Sequence, residues 1–217
     1  DIVYTISENQ KEYLRQRFGD KFKVLTKYAE FDKSNKPAGF RPHVPLRMLY
    51  TGNLGSGRYS SIGLIVKALR QVNVHEQRIV FDIYTSTVLS EKLRSRLNTA
   101  ETTLHVEGLS LKERLDVAHS FSTKIVDYLQ QCKPIFVVGK DDCASIRYFT
   151  DNDSGIVAQN YDEIVRKLTA VAASPEILED YAEKAWTCGE KNHRKSIHQE
   201  ALKNDLFNVV KQTNKTR

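Results

Sequence analysis

Apolar residues fall along this chain in two alternating patterns, short unbroken runs and longer stretches spaced at three and four, and each pattern predicts an element type. LRMLYTG (46–52), RIVFDIYTS (78–86), TTLHVE (102–107), IFVVG (135–139) and SGIVAQ (154–159) are compact and rich in β-branched and aromatic residues. They read as strands buried within a sheet. SSIGLIVKALRQV (60–72) puts Ile62, Ile65, Val66 and Leu69 on one helical face, and VLSEKLRSRL (88–97) repeats the pattern. GLSLKERLDVAH (108–119) reads as partly helical, and DDCASIRYFT (141–150) as a short helix that Asp141 and Asp142 cap. Asn160 and Glu163 form an N-x-x-E box opening a helix to about residue 173, Ser174–Pro175 starts the next, and 190–211 is a final helix. Strands alternating with helices predict an α/β fold, a Rossmann-like parallel sheet flanked by helices.

The first residues fit that sheet less well. DIVYTIS is a strand, Ser7 caps a helix over 8–18 that Gly19 stops, and KFKVLT is a second strand. One strand, one helix and one strand are too few to fold alone, so 1–29 reads as the remnant of a second Rossmann-like domain. The stretch 30–45 holds three of the chain's five prolines and reads as a linker. The chain opens on Asp1, not Met, which suggests a fragment.

With 217 residues, 40% hydrophobic and 28% charged, the composition is that of a soluble globular protein with one good core. No apolar run reaches the length of a membrane span and no signal peptide precedes the first strand, so a cytoplasmic location is expected. Cys132, Cys143 and Cys188 lack metal-ligand spacing and are expected to be reduced and structural. A net charge of +6 suits anionic partners. A phosphorylated small molecule and a peripheral contact with an anionic membrane explain it as well as nucleic acid does. Aromatic residues are only 9% and most basic residues are interspersed with acidic ones, so nucleic acid is disfavoured.

Two stretches carry candidate chemistry. GNLGSGRY (52–59) is a glycine-bearing loop between a strand and a helix, in which Arg58 offers a cation with bidentate geometry for phosphate. Its G-x-x-G-x-G spacing is neither the dinucleotide fingerprint nor a Walker loop. SFSTKIVDYLQQCKPIFVVG (120–139) runs from small hydroxyl residues through a helix into a strand. Such a helix start leaves backbone N–H groups free at the carboxyl edge of the sheet, with Ser122, Thr123 and Lys124 placed to cradle an anion. Glu107 ends a strand on the same edge, able to orient a bound ligand or His119, while His105 inside that strand is expected to be packed. The six histidines are scattered, no metal-ligand cluster stands out, and no G-x-S-x-G elbow exists.

SFSTKIVDYL followed by KPIFVVG resembles the donor-binding segment of the nucleotide-sugar glycosyltransferases of family 4 (group 1), which have the GT-B fold. YTGNLG and SGIVAQNYDEIVRKL are similar to that family as well. The resemblance implies that 46–189 is the C-terminal donor-binding domain, 1–29 the end of the N-terminal acceptor domain, 30–45 the linker and 190–217 a helix returning to the N-terminal domain. It implies a reaction without metal or other cofactor, transferring a sugar from a nucleoside-diphosphate-sugar donor to a glycan, lipid-linked or other hydroxyl acceptor, with retention at the anomeric carbon. Gly55, Arg58, Ser122, Thr123 and Lys124 would grip the diphosphate and Asp127 would hold the ribose. Glu107 and His119 would face the donor sugar, His119 standing where the family has a glutamate. Asn53 stands where the family often has an arginine, and the connection between Leu97 and Thr102 is too short for the strand and helix usual there. The isolated chain is then expected to bind donor and turn it over poorly. A non-catalytic nucleotide-binding α/β module and a nucleotide-sugar epimerase of similar architecture remain the alternatives.

Overall fold

A computed structural model of the chain describes residues 2–85 and 100–215. The main body is a five-stranded parallel sheet built from β3 (Leu46–Thr51), β4 (Ile79–Tyr84), β5 (Thr102–Val106), β6 (Ile135–Val138) and β7 (Ile156–Ala158). Its order is β4-β3-β5-β6-β7, so the chain reverses direction across the sheet between β4 and β5. That reversal opens a crevice at the carboxyl ends of β3 and β5. The helix expected over 88–97 lies outside the described residues.

The inner strands β3, β5 and β6 are largely buried on both faces, which explains their unbroken apolar runs, while in the edge strand β4 only Ile79 is fully buried. On one side α2 (Arg58–Val72) and α6 (Tyr161–Ala173) cover Leu104, Phe136 and Val138. On the other, α4 (Lys124–Gln130), α5 (Ala144–Asp151) and α7 (Ile177–His193) cover Ile135 and Val137. Successive residues of β6 thus go to opposite cores, as the two-residue period of a strand demands. Of the predicted face of α2, Ile62, Ile65 and Leu69 are buried and Val66 is partly so.

Helix starts follow their capping residues in three places. Ser7 accepts a hydrogen bond from the Gln10 N–H at the head of α1 (Glu8–Phe18), and Gly19, at φ 79°, ends that helix. Ser110 and Glu113 form a reciprocal box at α3 (Leu111–Val117), and Asn160 accepts from the Glu163 N–H at α6. Elsewhere tertiary contacts win. Asp141 and Asp142 do not cap α5: Asp141 accepts from Thr150 and Gln159, and Asp142 pairs with Arg114 at 3.3 Å. Cys143 occupies the cap position without a side-chain capping bond.

Residues 2–29 form a small parallel unit of β1 (Val3–Thr5), α1 and β2 (Phe22–Val24). The stretch after it is no free tether: Phe31 is fully buried between α4 and α7, with its ring 5.3 Å from that of Trp186. Gly189 on α7 is glycine because a Cβ there would overlap the Phe31 ring. The last helical stretch also differs from expectation. Glu190 lies inside α7, and the break falls at Arg194, where Ala29 pairs with the chain: the Ala29 N–H donates to the His193 carbonyl (2.9 Å) and the Lys195 N–H to the Ala29 carbonyl (3.0 Å). From there α8 (Lys195–Lys215) runs against the N-terminal unit, where Asp205 accepts from Tyr4 (2.9 Å) and from Lys23.

Candidate functional site

The crevice is assembled from three loops. β3 ends at Thr51 and is followed by Gly52, and one helical turn separates Lys124 from Tyr128 on α4, so both point to the same place. Lys124 Nζ donates to the Thr51 carbonyl at 2.6 Å, and the Tyr128 hydroxyl lies 2.6 Å from Thr51 Oγ1. Gly52, at φ 143°, leaves room for this crossing, since a Cβ would overlap Lys124 Nζ. Burial pushes the Lys124 amine below its ordinary range and the nearby Arg58 guanidinium adds to the effect, against Glu107. Beside it Tyr50 is buried, its phenol pushed up to about 12 by desolvation.

Arg58 is the first residue of α2, entered through Gly57 at φ 75°. The Glu113 carboxylate lies against Gly57 and leaves no space for a side chain there. Arg58 Nη2 donates to Glu107 Oε2 at 2.8 Å, Nε to the Val106 carbonyl at 3.2 Å and Nη1 to Asn53 Oδ1 at 3.3 Å. The arginine is therefore held by both neighbouring strand ends.

Glu107 is 2% exposed and serves as the internal counter-ion of Arg58. Ser145 donates to its second oxygen at 3.2 Å, and His105 Nε2 lies 3.5 Å away. Burial alone would push the Glu107 carboxyl up, but His105 and Arg58 together outweigh it and hold it below the ordinary range. This corrects the expectation that Glu107 orients His119. The two are apart because His119 packs its ring against Tyr13 of α1, at 4.4 Å between centroids, and its carbonyl accepts from Ser7. His105 is packed as expected, 4% exposed and beside Phe149.

Arg58, Lys124, Ser122, Asn53 and Tyr50 line one pocket of about 170 Å³. Two cations share one buried carboxylate there, so the pocket is short of negative charge. Thr123 heads α4 without a side-chain cap, and α4 has seven residues, so the attraction rests on the cations more than on a helix dipole. Gly55 shapes the turn, its N–H donating to Asn53 Oδ1 at 3.2 Å. Asp127 is half exposed outside the pocket lining and pairs with Lys27. Of the predicted site residues the pocket lining thus brings together Arg58, Ser122 and Lys124; Gly55, Glu107, Thr123, Asp127 and His119 are not part of it. Sequence reasoning missed Tyr50 and Tyr128. The signal for Tyr128 was its i+4 spacing from Lys124.

A second cavity of about 290 Å³ lies between the N-terminal unit and α5 and α7, walled by Ile6, Val24, Phe121, Tyr148 and His193. Among the described residues no group of three or more His, Cys, Asp or Glu gathers as a metal site, and no helix is long and apolar enough to cross a membrane.

No protein-family model matches the sequence, and no curated protein matches it. Solved structures do. The GtfA/B complex superposes with a TM-score of 0.66 at 18% identity over 96% of this chain and 45% of that one. TarM gives 0.66 at 12% identity, over 94% and 43% of the respective chains. HepE of Anabaena in complex with UDP and glucose gives 0.64 at 10% identity, over 95% and 63%. The chain therefore spans between 43% and 63% of the length of these neighbours. What the likeness establishes is the fold, a Rossmann-like parallel sheet flanked by helices as in GT-B glycosyltransferases.

Proposed function

We propose that this chain is the donor-binding part of a GT-B glycosyltransferase of the family 4 kind, with residues 46–189 holding a nucleoside-diphosphate sugar for transfer to a hydroxyl acceptor. The observation that carries the reading is the pocket at the carboxyl ends of β3 and β5, where Arg58 and Lys124 converge on a space with too little negative charge. A diphosphate supplies the missing charge. In this reading Arg58 and Lys124 stabilise the charge that grows on the leaving diphosphate as the glycosidic bond breaks. Both are already held, Arg58 by Glu107 and Lys124 by the Thr51 carbonyl, so little reorganisation accompanies the reaction. Retention at the anomeric carbon and independence of metal belong to the same proposal, as does weak turnover by the chain alone.

Isothermal titration with UDP, GDP and dTDP tests it. One nucleotide should bind, and Arg58→Ala and Lys124→Met should each weaken it by about tenfold or more, the cost of one charge-assisted phosphate contact. A folded protein that binds none of the three refutes the reading. Binding without consumption of the matching nucleotide sugar, with any acceptor and with the remaining half of a GT-B enzyme supplied, favours the non-catalytic module. His119 packed on Tyr13, where the resemblance places a carboxylate, is the observation that keeps that second reading open.

A further inference from the structure

On its β5 side the Thr51–Gly52 peptide is met by side chains, not by a strand. The pairing of β3 with β5 ends at Tyr50, opposite Leu104. The Gly52 N–H donates to the Tyr84 carbonyl at 3.0 Å, on the β4 side. A planar trans peptide points its C=O the opposite way, so the Thr51 carbonyl turns into the crevice. There it accepts from Lys124 Nζ at 2.6 Å and from the Tyr128 hydroxyl at 3.3 Å, and the same hydroxyl lies 2.6 Å from Thr51 Oγ1. Gly52, at φ 143°, imposes little steric preference on the peptide before it, so hydrogen bonds set the direction of this carbonyl.

Tyr128 is 2% exposed and Thr51 7%, and burial pushes the phenol far above its ordinary range, so the hydroxyl keeps its proton. The Lys124 ammonium has three N–H groups to place. Among the described residues Thr51 is its only hydrogen-bond partner, and Nζ stands 5.6 Å from the Tyr50 ring. Lys124 lines the cationic pocket, whereas neither Thr51 nor Tyr128 does. Whatever these two residues do to a ligand there passes through the lysine.

We propose that Thr51 and Tyr128 are positioning residues for Lys124. The Tyr128 hydroxyl clamps the last peptide of β3 through both Thr51 oxygens, and the Thr51 carbonyl takes one N–H of the ammonium. The other two are left for oxygens of a diphosphate in the Arg58–Lys124 pocket. The proposal rests on the donor reading above and adds how the lysine is set before the ligand arrives, so that little side-chain freedom is lost on binding.

A double-mutant cycle on the whole chain separates this role from one in folding. Inorganic pyrophosphate is the first probe and whichever of UDP, GDP and dTDP binds is the second, each followed by isothermal titration. Tyr128→Phe and Thr51→Val each delete a hydroxyl and nearly keep the shape. Each should weaken binding by about three- to tenfold, the loss of one hydrogen bond. Thr51→Ser keeps the hydroxyl and should bind as the wild type does. In a Lys124→Met background neither deletion should weaken binding further, whereas in an Arg58→Lys background the full factor should persist. Hydroxyls that serve only the packing of α4 against β3 would cost the same factor in every background, and that result overturns the proposal. So does unchanged binding in both Tyr128→Phe and Thr51→Val. If Tyr128→Phe fails to fold, the Thr51→Val cycle and its rescue by Thr51→Ser decide. Either overturning result leaves the donor reading standing; a folded wild type that binds neither pyrophosphate nor any of the three nucleotides refutes both.

Discussion

Replacing Glu107 by glutamine tests whether the pocket is built as described. The substitution keeps the shape and removes the charge, leaving Arg58 beside Lys124 without its counter-ion. Breaking a fully buried pair costs about 3–5 kcal/mol. The Glu107 side chain is 3% exposed but that of Arg58 is 21%, so solvent recovers part of the loss and about 2–3 kcal/mol is expected. For a chain of this size that lowers the melting temperature by roughly 5–10 °C. Asp127→Asn, at an exposed pair, should shift it by less than about 3 °C. The Glu107 contribution also has a pH signature. Its folded carboxyl is held below the ordinary 4.5, so its stabilisation is present above that value and is lost as pH falls through the lower folded one. Thermal melts followed by far-UV circular dichroism, at neutral pH and in mild acid, make the measurement. If Glu107→Gln melts within about 2 °C of the wild type while nucleotide-sugar binding disappears, Glu107 is a ligand and the counter-ion argument is wrong.

Two further perturbations probe the frame around the site. His193 is 1% exposed, with Nδ1 on the Lys27 carbonyl and Nε2 at 2.9 Å from the Tyr148 hydroxyl, and burial, reinforced by His198, pushes its pKa from 6.5 to about 4. The unfolded chain then binds a proton that the folded one excludes, so stability should fall by roughly 3 kcal/mol as pH drops from 6.5 to about 4. His193→Gln should flatten that slope, measured as urea midpoint against pH; an unchanged slope rejects the assignment. Gly189→Ala drives a Cβ into the buried Phe31 ring, and overpacking of about 1–3 kcal/mol should exceed the helix-propensity gain of about 1 kcal/mol. Adding Phe31→Leu should recover part of the loss; a Gly189→Ala variant more stable than the wild type would show that Phe31 does not fill that space.

The fold was legible because its signals are local. Runs such as IFVVG, short and rich in β-branched residues, read as two-sided strands, and Ser7 and Asn160 start helices through bonds to residues three positions on. Order of elements then implies a parallel sheet, and the crevice follows from where the strand order reverses. Within the site the same logic reached Arg58, Ser122 and Lys124, since loops at strand ends of one sheet share an edge.

What the sequence could not disclose is which charges meet. Glu107 read as a carboxylate free to orient a ligand or His119 and is the buried partner of Arg58, and Asp141 and Asp142 looked like caps and bind elsewhere. Phe31 sat in a proline-rich stretch that reads as a tether, yet it fills the groove left by Gly189. Lys27 and Asp127 are far apart in sequence, and nothing in either neighbourhood names the other. Local pattern decides element type because hydrogen bonding and side-chain period act within a few residues. Pairing of charges and filling of cavities depend on distances between elements, and only the tertiary structure sets those.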